Sequence, residues 1–333
     1  MTPLVSIIIP AKSVTPYLRE NIAACLRGAY KNFEIIVVLD EPTKEIFPKT
    51  IFLVSGPVGP AKKRDIGARG GKGTVLAFID DDVIPSDMWL SRIMKTLRDP
   101  KVGAVGGPGV TPHGVPWQEE ASGWVSASPV GSGGFLYRFL PMNRREVDDY
   151  PSMNLAVRRS DFEAIGGFDS QYWPGEDTKL CHDIVYTLGK KIIYEPEALV
   201  YHHRRPLWLP HLRQNGNFGI HRGYFARILP KTSARPLYFL PSVLVLAAAY
   251  AMLYPITRYF VPMIPVPFSM AAAIAGYGFG GYFVLLIANG VWIAYRSKRM
   301  LPALVSVPAV FATHVWYGLR FLQGYIFTKK LTT

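Results

Sequence analysis

Five short apolar runs, at residues 5–9, 34–39, 51–54, 75–79 and 102–105, punctuate the first 105 residues, and helical signals fill several of the gaps between them. The runs are rich in valine and isoleucine and almost continuous in apolarity, as strands covered on both faces are. Thr15-Pro16 opens one helix and Gly28 closes it, with proline in the first turn and glycine past the end. A second helix is predicted near 61–68 and a third from Ser86-Asp87 through Arg98. Strand, helix and strand in repetition predict an α/β fold with a mostly parallel, doubly wound sheet. Sheets of this kind bind ligands beyond the carboxyl ends of their strands.

The pattern changes after residue 200. No charged side chain lies between Arg235 and Arg258, Arg258 and Arg296, or Arg299 and Arg320, leaving uncharged stretches of 22, 37 and 20 residues. A helix needs about 20 apolar residues to cross a bilayer core of roughly 30 Å. Transmembrane spans are therefore predicted at 237–256, 269–295 and 300–320, with Pro262, Pro265 and Pro267 breaking the chain before the second. The stretch 207–235 mixes Leu209, Leu212, Phe218 and Phe225 with Arg213, Arg222 and Arg227, and reads as an amphipathic interfacial segment. The expected domains are thus 1–206, 207–235 and 236–333.

Charge follows the same division. Residues 1–197 carry 23 Lys/Arg and all 24 Asp/Glu, whereas 198–333 carry 14 Lys/Arg and no acid. Positive charge marks the cytoplasmic side, which places Arg227, Lys231 and Arg235, and also Arg296, Lys298 and Arg299, inside. A multi-pass protein of the cell membrane is expected, its first domain cytoplasmic and its C-terminus outside. The basic excess sits beside the spans, where anionic lipid explains it without nucleic acid. The start has no basic segment before its first apolar run, so that run is expected to be a strand rather than a signal peptide. Two cysteines, Cys25 and Cys181, are too few for a disulfide framework.

Carboxylates supply the candidate chemistry. Asp80-Asp81-Asp82 closes the run 75–79, Asp40 closes 34–39, and Glu176-Asp177 opens a predicted helix at 178–188. Three acids at a strand end suit a divalent cation and the anion it carries. The glycine-rich stretches at 105–109 and 131–134 lack dinucleotide or P-loop spacing and read as turns or a mobile loop.

The order of the pieces is more specific than any one of them. Val5-Ser6-Ile7-Ile8-Ile9-Pro10, the run ending at Asp40, Gly59-Pro60-Ala61-Lys62-Lys63-Arg64-Asp65, Phe78-Ile79-Asp80-Asp81-Asp82, Met153-Asn154-Leu155-Ala156-Val157-Arg158-Arg159, Ile165-Gly166-Gly167-Phe168-Asp169 and Gly175-Glu176-Asp177 follow one another. Over roughly residues 4–205 the chain resembles the family 2 inverting glycosyltransferases of GT-A fold. That resemblance implies a nucleotide-sugar donor, a UDP-sugar by family frequency, and Mg²⁺ or Mn²⁺ held by Asp80 and Asp82. It assigns Asp40 to the nucleobase, Lys63 or Arg64 to base or diphosphate, and Asp177 to the general base, with Glu176 orienting substrate. His202 is a further candidate metal contact. The expected acceptor is a lipid-linked or other membrane-associated glycan. Two other readings stay open: a polyprenyl-phosphate monoglycosyltransferase, and a non-catalytic nucleotide-sugar sensor.

Overall fold

The computed structural model describes residues 2–168, 170–172, 175–261 and 263–331, so the readings at Asp169 and Pro262 lie outside the described residues. The chain divides into two compact units. The first runs to His113, resumes from Tyr137 to His203 and takes in the chain end from Lys330; the second comprises Gly114–Leu136 and Arg204–Lys329. The expected boundary at 206 moves to 203, and Gly114–Leu136, expected within the first domain, folds with the second. The cause is burial. Ala121 and Val125 of the helix Trp117–Ser126 pack with Leu286, Ala309 and Val310, and the Asn289 side chain bonds Val130 N and Ser128 Oγ at 3.0 and 3.2 Å.

The first unit is built on strands β1 (Val5–Pro10), β2 (Phe33–Leu39), β3 (Thr50–Val54), β4 (Val75–Ile79), β5 (Val83–Pro85), β6 (Val102–Gly106), β7 (Gly109–Val110), β8 (Arg145–Val147), β9 (Asn154–Arg158), β10 (Lys191–Tyr194) and β11 (Val200–His202). Eight of them form one sheet in the order β3-β2-β1-β4-β9-β6-β10-β8. The five strands expected from the sequence are all present, and β1 to β4 pair in parallel. The antiparallel β9 sits between β4 and β6, so the sheet is mixed though mostly parallel. β1 and β4 are buried along their whole length, as their unbroken apolar sequence requires. A smaller sheet, β5-β11-β7, lies beyond β4.

Helix Pro16–Arg27 has the predicted ends: the Thr15 hydroxyl caps Leu18 N at 3.1 Å, and Gly28 closes it. The third helix starts at Trp89 rather than at Ser86. Its expected first turn is tied elsewhere, since Ser86 N–H bonds Leu199 O and Asp87 O accepts from Ala29 N–H. Asn154 is the polar pivot of the interior. Fully buried and paired across the ladder with Ile79, it donates to Gly107 O and Ala198 O at 2.7 and 2.9 Å and accepts Trp89 Nε1–H at 2.8 Å.

In the second unit three helices, Pro236–Phe260, Val266–Ser297 and Met300–Leu322, are long and apolar enough to cross a membrane. The first two form an antiparallel hairpin, with Tyr250 Oη on Phe268 O and Tyr254 Oη on Ser269 Oγ. The third differs: a third of its apolar window is buried, against 6% in each of the others. It leaves the hairpin's Ser297 end and finishes against the other helix's start, where Ser242 Oγ bonds Gly318 O at 3.0 Å and the Phe239 and Phe321 rings lie 4.7 Å apart. On the way it runs back along Val266–Ser297, with a Cβ at Gly290 meeting Val307 at 3.0 Å, Tyr282 Oη 2.8 Å from His314 Nδ1 and the Phe279 and Phe311 rings 6.2 Å apart.

Helix Leu209–Ile228 packs parallel to that third helix through glycine. A Cβ at Gly219 or Gly223 would meet Tyr317 O at 2.7 Å or Phe321 O at 2.1 Å, so the two backbones touch where no larger residue fits. The expected amphipathic pattern is not what orders it, because its packed face is a glycine stripe rather than a row of apolar side chains. Buried His211 joins Ser122 Oγ and Thr313 Oγ1 at 2.8 and 2.9 Å, and burial lowers its pKa to about 4, leaving it neutral.

Asn154→Ala strands the Trp89 indole N–H and two buried carbonyls. It is expected to cost roughly 2–4 kcal/mol, read as a lower unfolding temperature in detergent.

Candidate active site

The helix Pro60–Gly70 organises the carboxyl edge of the sheet. Two adjacent basic residues in its first turns are buried, although such side chains seldom are without partners. Lys63 Nζ bonds the Asp40 carboxylate, at the end of β2, together with Ala11 O. Arg64 reaches two acids: Nη2 to Asp80 Oδ1 at 2.6 Å and Nη1 to Glu176 Oε1 at 2.9 Å. Burial opposes the Arg64 charge, but Asp80, Glu176 and Asp177 outweigh it and its pKa rises. Both cations assigned to donor contacts thus already hold the site's own carboxylates. The far end of this helix is fixed by Arg159, which donates to the carbonyls of Ala68, Gly71 and Gly73 at 2.8, 2.8 and 2.6 Å.

Asp80 lies at the end of β4, and the turn after it is pinned by a residue the sequence did not single out. Buried Asn21 donates through Nδ2 to Asp80 O at 2.9 Å. The ladder between β5 and β11 then sets Val83 opposite His202, and His202 Nε2 stands 3.4 Å from Asp82 Oδ1. Asp80 is turned to Arg64 and Asp82 to His202. Among the described residues no three His, Cys, Asp or Glu side chains gather as a cage. Carboxylate oxygens, as on Asp80 and Asp82, are the donors that a hard divalent ion takes.

A cleft of about 470 Å³ opens beside Asp40, lined by Lys12, Val14, Leu39, Glu41, Pro42 and Thr43 among others. Its size falls within the range of small-molecule sites.

Glu176 and Asp177 form the first turn of the helix Glu176–Tyr186, where the helix dipole favours acids. Gly166 and Gly167, at φ of 81° and 83°, turn the chain ahead of it in a conformation that glycine alone adopts readily. Asp65 Oδ1 then accepts Phe168 N–H at 2.9 Å, and the Phe168 ring lies beneath the Arg64 guanidinium. Asp177 accepts Thr178 N–H at 2.8 Å and Ser152 N–H at 3.3 Å. Desolvation, then the charges of Glu176 and Asp149, push its pKa up to about 7, against a smaller pull from Arg64. A carboxylate with that proton affinity can exchange protons near neutral pH.

Residues 6–166 match the model of Glycosyl transferase family 2. The chain is 32% identical over 155 residues, 44% of its length, to the pre-mycofactocin glycosyltransferase of Mycobacterium tuberculosis, but spans only 30% of that relative. It is 24% identical over 225 residues to a glucosyl-dolichyl phosphate glucuronosyltransferase of Haloferax volcanii, covering 60% of this chain and 68% of that one. In fold it is similar to a mannosyltransferase from Pyrobaculum calidifontis, with a TM-score of 0.59 and 18% identity, over 93% of this chain and 87% of that one.

The folded protein binds the Asp177 proton more tightly than the unfolded chain, so this group's contribution to stability is complete below about pH 4 and is lost as pH rises toward about 7. Asp177→Asn, which keeps the shape without the charge, is expected to raise the unfolding temperature by a few degrees at about pH 8 and to change it little near pH 4.5. Thermal unfolding in chelator at the two pH values checks this.

Proposed function

We propose that this chain, which carries a family 2 glycosyltransferase domain of GT-A fold, transfers a sugar with inversion from a nucleotide-diphosphate sugar to a membrane-associated acceptor. The observation that carries the proposal is the convergence of Asp40, Asp80 and Glu176 on Lys63 and Arg64 of one helix, beside Asp177. Asp40 and its cleft receive the nucleoside. The Asp177 carboxylate takes the proton from an acceptor hydroxyl as that oxygen bonds to the anomeric carbon. The bond from that carbon to the diphosphate breaks on the opposite face, and nucleoside diphosphate leaves. Glu176, fixed by Arg64, orients the substrate. The donor is a UDP-sugar by family frequency alone.

Asp82 and His202, with Asp80 alongside, would hold Mn²⁺ or Mg²⁺. Such an ion, when bound, supplies a Lewis acid for the negative charge that develops on the diphosphate. The Pyrobaculum mannosyltransferase in complex with GDP-Man and Mn²⁺ supports that choice.

A lipid-linked acceptor is supported by the helices long enough to span a bilayer and by the dolichyl phosphate in the name of the Haloferax relative. The same helices support a multi-pass protein of the cell membrane with its catalytic unit cytoplasmic. Of the three helices expected to span and long enough to do so, two are proposed to cross. The hairpin Pro236–Phe260 and Val266–Ser297 crosses, and Met300–Leu322, a third of whose apolar window is buried, lies with the glycine-packed helix Leu209–Ile228 at the cytoplasmic face. Lys329 and Lys330 then join Arg296, Lys298 and Arg299 on the inside, in accord with the distribution of positive charge.

Two measurements test these proposals. Detergent-purified protein is expected to release nucleotide diphosphate from one member of a nucleotide-sugar panel with Mn²⁺ and membrane lipids present. Release should stop with chelator and fall about 10²- to 10⁴-fold in Asp177→Asn; metal-dependent donor binding without release would favour a sensor. For topology, a cysteine appended after Thr333 is expected to react with impermeant maleimide only after lysis, while one beside Arg258 reacts in intact cells. Cys25 and Cys181 are buried and contribute little background. Labelling of the appended cysteine in intact cells would restore three spans.

A further inference from the structure

The first turn of the helix Glu176–Tyr186 is braced by the segment that precedes β9. Asp149 Oδ1 accepts Thr178 Oγ1–H at 2.9 Å, Tyr150 N–H and O both meet Cys181 Sγ at 3.4 Å, and Ser152 N–H reaches Asp177 Oδ2 at 3.3 Å. Asp149 is only 4% exposed. Arg138 holds it twice, with Nη2 2.7 Å from its carbonyl oxygen and 3.2 Å from Oδ2. Thr178, also buried, passes the constraint on through its own N–H, which Asp177 Oδ1 accepts at 2.8 Å. Arg138, Asp149, Thr178 and Asp177 thus form one connected line.

A buried carboxylate is an expensive way to hold a hydroxyl, since an asparagine oxygen would accept the same bond without a charge to desolvate. What asparagine would not bring is the charge. The charged groups facing Asp177 are Glu176 beside it on the helix, Asp149 from the bracing segment and Arg64 from the helix Pro60–Gly70. Glu176 is paired directly with Arg64, while Asp149 is paired with Arg138.

Resting on the assignment of Asp177 as general base, we propose that Asp149 is a positioning residue that fixes the Asp177 carboxylate through Thr178 and, by its negative charge, makes it a stronger base. The direction of the Asp177 pKa agrees: desolvation raises it first, and Glu176 and Asp149 add to the rise.

The test is the pH dependence of kcat for the full chain in detergent, at saturating donor and Mn²⁺. Asp149→Asn keeps the acceptor for Thr178 and removes the charge. The acid limb is expected to move about one pH unit lower and the plateau to fall roughly threefold, with donor KM unchanged. Arg138→Gln removes the countercharge and is expected to move the limb the other way. Thr178→Val breaks the line without touching charge, so it should lower kcat and leave the limb in place. An unmoved limb in both Asp149→Asn and Arg138→Gln overturns the inference while leaving Asp177 as base. Full turnover in Asp177→Asn, by contrast, overturns the base assignment itself.

Discussion

The Arg64 guanidinium is the interaction on which the site depends. It is buried between Asp80 and Glu176, side chains 16 and 112 residues away in the sequence, and so joins the end of β4 to the start of the helix Glu176–Tyr186. Removing three charged groups from water costs free energy that their mutual attraction only partly returns, so the triad is better understood as specifying geometry than as adding stability. It holds Glu176 and Asp80 in one register, and with them the neighbouring Asp177 and Asp82. Lys63, one residue earlier, does the same for Asp40. Arg159 closes the far end of the helix that carries both cations.

The second unit is ordered by a different principle. Its helices gain little by turning apolar faces inward if their surroundings are also apolar, and close backbone approach and buried hydrogen bonds take over. Gly219 and Gly223 let Leu209–Ile228 touch the helix Met300–Leu322, and His211 and Asn289 tie in the segment Gly114–Leu136. These contacts explain why the last apolar helix is so much better covered than the hairpin beside it.

Much of the fold was legible along the chain. Unbroken apolar runs reported the covered strands β1, β2, β4 and β6, though the edge strand β3 leaves Ile51 and Val54 exposed; Thr15, Pro16 and Gly28 marked a helix, and the loss of charge after residue 235 marked the apolar helices. The positions of Asp40, Asp80, Asp82 and Asp177 at element ends were legible too, because the run or helix signal stops or begins there. The antiparallel β9, the late start of the helix at Trp89 and the defection of Gly114–Leu136 were not, since each is decided by a partner remote in sequence: β4 and β6, Leu199 and Ala29, or Leu286 and Ala309.

Sequence by itself therefore determined the elements, the apolar helices and the acids available for chemistry, because periodicity and charge record the environment each residue needs. Only the tertiary structure decided which acid meets which cation, that Asn21 and Asn154 support the site from within, and that the last apolar helix packs on the glycine stripe of Leu209–Ile228. Those facts rest on distances between residues far apart in the chain. No local pattern encodes them, because a hydrogen bond or a desolvated charge depends on what surrounds it in space.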